Sequence, residues 1–480
     1  MMKKYLIAAL ICVAFEVATA TDSLQLAIPQ PKRFWTAASE VVGLNVGVWG
    51  FDRYGMNQDF ARIGFNSIGN NFSNGFVWDN DQFSTNLFAH PYHGNLYFNS
   101  ARNNGYNFWQ SVPFAFAGSL MWEMVAENEP PSINDLIATS IGGSALGEAM
   151  YRISDLFLDN SATGFERVAR EAAALVICPV KGFNRIIRGD MWRYNSVNNL
   201  YHDFDKIPVR FNIGTGIRYL ANNQDLFRGE SHQYVNLGLN YGSNYVNSEN
   251  PYDHFMADFT FGLFGNQPLI GKINLIGRLW GLKVLTEADI DISIGLYQYF
   301  NYFDSESVLD GSERVPFKIA EAASIGPGFV YSIPSMNELL KLRQSLYFGG
   351  ILLGGSLSDY YKWINRNYNM GSGFSVKSTT QIEYVDLLTF ELNMYLYRIY
   401  TWKGYEEKDL ENGNPLLLNV QGDQGNVMMA IINPTLKIPI VKNLLLNISA
   451  YYYLRESEYK YYENVEYNTF ETQVGIEWHF

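Results

Sequence analysis

The sequence predicts a membrane β-barrel of about 12 antiparallel strands behind an N-terminal, mostly α-helical domain. Three observations carry this. The chain ends in a strand with one apolar face, residues of alternating character recur from Ile207 onward, and the first twenty residues have the build of a secretory signal. In the closing stretch Phe470, Thr472, Val474, Ile476, Trp478 and Phe480 alternate with Glu471, Gln473, Gly475, Glu477 and His479. A terminal aromatic on the apolar side of such a strand is the pattern of a sheet facing lipid on one side and a polar lumen on the other.

At the other end Lys3 and Lys4 precede an apolar run from Tyr5 to Phe15 and small residues at Ala18 and Ala20, so residues 1–20 are expected to be cleaved after export. Cys12 lies inside the apolar run rather than at its end, which argues against a lipid-modified cysteine. Cys178 is then the one cysteine of the mature chain, and an internal disulfide is excluded. The remainder divides into residues 21–200, helical and either periplasmic or plug-like, and residues 201–480, the barrel.

Composition agrees. Aromatic residues make up 16% of the chain, with 33 Tyr and 32 Phe, against 17% charged residues; this suits interfacial girdles better than a soluble surface. The formal charge of −13 argues against a nucleic-acid partner, because phosphate binding needs a basic surface. Past the signal, the sequence shows no long uncharged apolar run of the kind a membrane-spanning helix requires.

Within the first region the spacing predicts a helix over Ala37–Phe51, an irregular Asn- and Phe-rich stretch to Leu87, and helices over Asn107–Glu127, Ile133–Leu158 and Gly164–Ile177, the last stopped by Pro179. Ser132 and Asp135 are placed to cap and charge the start of the second of these three. Within the second region strands are predicted over Val209–Tyr219, Val235–Tyr241, His254–Gly265, Lys272–Val284, Ile290–Leu296 and Phe329–Pro334. Six more follow, over Gln344–Leu357, Gly373–Tyr384, Asp386–Tyr400, Asn426–Ile440, Leu446–Tyr452 and Phe470–Phe480. Polar runs such as Asp304–Arg314 and Tyr405–Gln424, which includes the Asn412-Gly413 turn signal, supply the longer connections, expected to face the cell exterior.

The run His90-Pro91-Tyr92-His93-Gly94, followed by Ser100-Ala101-Arg102-Asn103-Asn104-Gly105, Trp122-Glu123 with Glu127, Pro131 to Leu136, Gly142-Gly143 with Gly147-Glu148 and Gly182 to Arg185, resembles a bacterial domain-of-unknown-function family. The resemblance covers about residues 80–190. It implies an exported helical domain followed by an outer-membrane barrel, and it brings no established activity.

The residues are therefore weighed on their own chemistry. His90, His93, Glu123 and Glu127 offer two imidazoles and two carboxylates that could converge on a metal or serve as an acid–base set. The plainer alternative is a tight turn at Pro91 and Gly94, with the histidines as helix caps and Arg102 paired to Glu123 or Glu127. Gly142, Gly143 and Gly147, with Ser140 and Ser144, make a small-residue stripe suited to close helix packing. Ser111 and Ser132 lack the turn of a serine nucleophile. His202, His232, His254 and His479 are expected to be scattered, solvated side chains, and Arg210, Arg218, Asp289, Asp291, Glu391 and Asn393 are expected to line the lumen.

No organic cofactor is expected, and metal binding is left open. The leading reading is an outer-membrane binding or transport module, with the helical domain on the periplasmic side, outer-membrane lipid as surroundings, a small solute or lipid as ligand and no nucleic acid. The alternatives are a membrane-bound lipid or envelope hydrolase and a structural envelope protein.

Overall fold

The computed structural model describes residues 31–195, 208–222, 226–245, 250–287, 290–308, 315–337, 339–361, 366–385, 387–406, 408–409 and 418–480. The expected signal with Cys12, the Asn412-Gly413 turn, His202 and Asp289 lie outside these residues. The chain forms two compact units. One contains the residues up to Asp79 and Ala89–Pro208; the other contains Asn80–Phe88 and Val209–Phe480.

The first unit is helical: α1 (Phe34–Gly50), α2 (Phe65–Asn74), α3 (His90–Arg102), α4 (Phe108–Val125), α5 (Ile133–Ile137), α6 (Gly143–Phe157), α7 (Gly164–Ile177) and α8 (Pro179–Ile187). Helix α4 starts where its sequence says it should. Asn107 Oδ1 accepts from the Gln110 N–H at 3.0 Å while Gln110 Oε1 accepts from the Asn107 N–H at 3.3 Å, a reciprocal cap that satisfies two otherwise orphaned donors. Ser132 departs from expectation. It makes no side-chain cap, and its own N–H donates to Glu123 Oε2 at 2.7 Å. Pro179 both follows α7 and opens α8, where its missing N–H costs nothing.

Two stretches read as irregular or turn-forming are helical. One is α2. The other is α3, in which Pro91 occupies the first turn and Gly94 sits mid-helix. Gly94 is required by a close crossing rather than by a turn: a Cβ on Gly143 would lie 2.6 Å from the Gly94 backbone, and a Cβ on Gly147 would lie 2.7 Å from the Phe98 ring. The small-residue stripe of α6 is thus the surface on which α3 rests, with Gly142 buried beside it in the π turn Ala138–Gly142.

The second unit is a closed antiparallel barrel. Its strands are β1 (Val209–Asn222), β2 (Glu230–Tyr241), β3 (Phe255–Gly262), β4 (Ile270–Glu287), β5 (Ile290–Asp304), β6 (Lys318–Asn337), β7 (Leu340–Leu357), β8 (Tyr368–Tyr384), β9 (Leu388–Tyr400), β10 (Gly425–Val441), β11 (Leu444–Tyr459) and β12 (Val465–His479). Each strand pairs with its chain neighbours and β12 pairs with β1, for example Ile217 with Val474 and Gly216 with Gly475. Side chains alternate as a lipid-facing sheet requires. Ile217, Val474 and Ile476 are exposed by 58%, 53% and 46%, while Arg218, Gln473 and Glu477 between them are buried. Among the described residues no helix is long and apolar enough to cross a membrane.

Segment Asn80–Phe88 packs on the outward side of this wall. Phe83 lies against Tyr302 and Tyr368 with ring centroids 5.1 and 5.2 Å apart, Asn86 Nδ2 donates to the Tyr368 hydroxyl at 2.7 Å, and the Tyr361 hydroxyl donates to Asn80 Oδ1 at 3.1 Å. Tyr302 alternates with Asn301 and Phe303, which point into the lumen, so the segment is not a plug. It sits at the end of the barrel that carries the connections 305–317, 358–367 and 401–424.

The β1–β12 seam closes because its inner positions are small. A Cβ on Gly216 would collide with the Val474 carbonyl, and one on Gly475 with Thr215. Gly216→Val is therefore expected to prevent closure. Folded barrels migrate differently before and after boiling on denaturing gels; this variant should show only the unfolded band, and a wild-type heat shift would contradict the account of the seam.

Candidate functional site

In the helical unit a parallel bridge joins Val77 to Ser132: the Val77 N–H donates to the Pro131 carbonyl, and the Ile133 N–H to the Val77 carbonyl. It brings Asp79 beside Asp135 on α5. Asn134 holds both carboxylates, with Nδ2 donating to Asp79 Oδ1 at 3.0 Å and to Asp135 Oδ1 at 2.8 Å. His90 faces the same place, its Nε2 3.5 Å from Asp135 Oδ1. A π turn, Thr85–Ala89, immediately precedes His90, and a second, Ala138–Gly142, begins three residues after Asp135. Single π turns of this kind re-aim side chains and recur at functional sites.

Of the four residues singled out by sequence, the structure places His90 in the Asp79–Asp135 group and Glu123 and Glu127 against each other. Glu123 lies in the last turn of α4, and Glu127 just beyond its end. Asn71 Nδ2 spans this join, donating to the Glu123 and Glu127 carbonyls at 3.2 and 3.0 Å. His93, one turn along α3 from His90, lies tilted against Tyr97 and edge-to-face with Trp122, with centroids 4.6 and 5.3 Å away.

The electrostatics of this region are lopsided. Burial, and then the neighbouring carboxylates Asp79 and Glu123, push Asp135 well above the usual carboxylate range. Burial followed by Glu123, which also hydrogen-bonds to it, does the same to Glu127. Burial, with His90 nearby, pushes His93 down to about 3, so it is neutral at physiological pH. Asn134 Nδ2 gathers Asp79 and Asp135 side by side, and Asn71 Nδ2 bridges the Glu123 and Glu127 backbone carbonyls. Asp79 and Asp135 were missed by sequence reasoning as members of a site. Asp135 had been read as a helix-start charge, and Asp79 is far from it along the chain.

Arg102 pairs with neither Glu123 nor Glu127. It forms a fork to Glu148, with contacts of 2.6 and 2.8 Å, and Arg152 adds a third bond at 2.8 Å. Lys181 binds Asp155 at 2.6 Å and lies over the Tyr151 ring. This second polar group is fully paired, which is the mark of a structural network. Ser111 Oγ donates within its own helix to the Asn107 carbonyl.

The lumen is the other candidate. Glu391 and Asn393 lie together there, Asn393 Nδ2 donating to Glu391 Oε1 at 2.7 Å, beside Lys272–Asp258 and Lys437–Glu477 ion pairs of 2.7 and 2.9 Å. These groups surround an internal cavity of about 80 Å³. Arg218 is buried 4.0 Å from Glu471, whereas Arg210, on the same face of β1, is exposed near the barrel end; Asp291 is half-buried at the start of β5. Above the cavity Glu321 and Lys377 form a buried pair at 2.7 Å, tied to Asn301 and Ser375, and a cluster that includes Phe303, Ile351, Tyr397, Met429 and Tyr453 fills the section around them. At the loop end Arg455 grips Asp359 through two bonds of 2.6 and 2.8 Å.

The histidines of the barrel do not form a set. His232 contacts Glu230 and the Phe264 carbonyl, each at 3.1 Å, His254 is buried ahead of β3, and His479 binds Glu477 at 2.5 Å. They are partnered or buried rather than scattered in solvent.

Residues 75–180 match the family described as a domain of unknown function, DUF3943. No curated protein matches the chain. Among solved structures the chain is similar to the NanC porin, at 10% identity over 56% of this chain and 98% of that one with a TM-score of 0.25. It is also similar to the KdgM porin in complex with disordered oligogalacturonate, at 7% identity over 56% and 99% with a TM-score of 0.24. A third is the outer membrane channel DcaP of Acinetobacter baumannii, at 10% identity over 58% and 99% with a TM-score of 0.22. Similarities this slight carry no argument about cargo.

The Glu148 fork generates a test. Burial alone would raise Glu148, but Arg102 and Arg152 overcome it and hold the carboxyl at about 2, below its ordinary 4.5. Its contribution to stability is thus present above pH 4.5 and is lost as the pH falls toward 2. Arg102→Ala leaves a buried, underpaired carboxylate and should destabilise the helical unit by about 3–5 kcal/mol. The loss should be read in its helical circular dichroism melt and should shrink in acid. An unchanged melt would contradict the assignment.

Proposed function

We propose that this protein is a membrane-anchored binding module in which the barrel is a closed anchor and the helical unit is the part that acts. One observation carries the reading: the lumen is packed. A polar floor, the Glu321–Lys377 pair with its aromatic surround, and the Arg455–Asp359 contact follow one another along the barrel, and the cavity among them, about 80 Å³, has room for only a few waters. Passage of a solute would require the buried Glu321–Lys377 pair to separate, and each ion would then be left unpaired in a low-dielectric interior.

The helical unit gathers carboxyl groups beside the buried, unpartnered His90 Nε2, and it contains the stretch that matches DUF3943. A second reading, a hydrolase acting on lipid or envelope material, draws support from the buried carboxyl groups gathered beside the imidazoles of His90 and His93. These have the elements of an acid–base set.

Planar-bilayer recordings of the folded full-length protein should show no steady conductance. An ion-conducting state present in most insertions would overturn the closed-anchor reading.

A further inference from the structure

Asp79, His90 and Asp135 each offer one ligand-type atom, and these atoms all lie within 4.8 Å of one another. Three features of the group are hard to explain without a further occupant. His90 Nε2 is shut off from solvent and has no hydrogen-bond partner. It points at Asp135 Oδ1, yet at 3.5 Å the contact is longer than a hydrogen bond between these groups should be. Asn134 Nδ2 donates to both Asp79 Oδ1 and Asp135 Oδ1, so two acids are gathered side by side at the imidazole. Buried acids assembled in this way are stabilised by a proton or by a metal, and the orphaned imidazole nitrogen favours the metal.

The geometry points to a divalent transition-metal site built from His90 Nε2 and one carboxylate oxygen each of Asp79 and Asp135. Ligands on a common ion, with bonds of about 2.0–2.2 Å, stand no farther apart than about 4.4 Å, so a small side-chain adjustment closes the set. One nitrogen and two oxygens suit Zn²⁺, Mn²⁺ or Fe²⁺ better than Ca²⁺ or Mg²⁺, which take oxygen ligands throughout. Asn134 Nδ2, donating to both carboxylates, would orient them from outside the metal shell and leave their other lone pairs for the ion. Three protein ligands leave a fourth position for water or for a group of the bound partner.

The inference deepens the reading of the helical unit as the acting part, but metal uptake and barrel conductance are separate measurements and either can fail alone. The test uses the full-length protein in detergent, stripped with a chelator and titrated with Zn²⁺. The wild type should bind one equivalent at this site, and His90→Ala and Asp135→Asn, checked for folding by circular dichroism, should weaken binding by about 100-fold or more, beyond the loss typical of an outer-shell change. Wild-type affinity in both folded variants, or no uptake by the wild type of either Zn²⁺ or Mn²⁺, would overturn the site. Should the variants fail to fold, X-ray absorption on the Zn²⁺-loaded wild type decides. A mixed nitrogen and oxygen shell with an imidazole signature supports the site, and a shell of oxygen alone refutes it.

Discussion

The structure depends on the seam between β1 and β12. In hydrocarbon an unpaired peptide group costs several kcal/mol, and a sheet with two open edges would expose a row of them, so the barrel is stable in a membrane only when closed. Closure brings the first and last strands of the second unit together across a long chain separation, from Asn212 opposite His479 to Asn222 opposite Thr469. Small inner residues make the approach feasible, and the apolar outer residues of both strands continue the lipid-facing band without a break. Everything inside follows from that closure, because a closed wall of this size brings side chains from opposite strands into contact.

Inside, charge and aromatic bulk divide the work. The Glu321–Lys377 pair is held by Asn301 and Ser375, so each ion has polar partners on more than one side. The Tyr and Phe side chains around it exclude water, which strengthens the pair and raises the cost of separating it. The helical unit holds two different kinds of polar group. Its Glu148 and Asp155 networks are matched by cations, whereas the neighbourhood of Asp79, His90 and Asp135 concentrates acids and leaves imidazole nitrogens without partners. The contrast sets the second neighbourhood apart as the one built to receive something.

Much of the barrel was legible in the sequence because a two-residue period needs no tertiary information. Ile213 to Arg218 and Val474 to Glu477 announce their faces individually, and the strands fall where alternation places them. The long strand β6 extends well ahead of the predicted stretch, since buried residues such as Ala320, Ala322 and Ala323 are apolar on both faces and lose the alternation. The helical unit was less legible. Gly94 and Pro91 signal a turn by composition but serve a helix crossing and a helix start, and only the partner surface on Gly143 reveals this. Of the candidate site, His90 was visible as a histidine with an uncertain partner. Asp79 was not, because the bridge between Val77 and Ser132 that delivers it leaves no periodic trace, and the two π turns have no sequence signature.

The packed lumen is the claim on which the account turns, and it can be probed at its centre. A cysteine in place of Ser375, beside Glu321 and Lys377, should be inert to a small water-soluble thiol reagent in the folded barrel and should react fully once the barrel is unfolded. Rapid labelling of the folded protein would mean that water and solutes reach the middle of the barrel, and the closed-anchor account would be wrong.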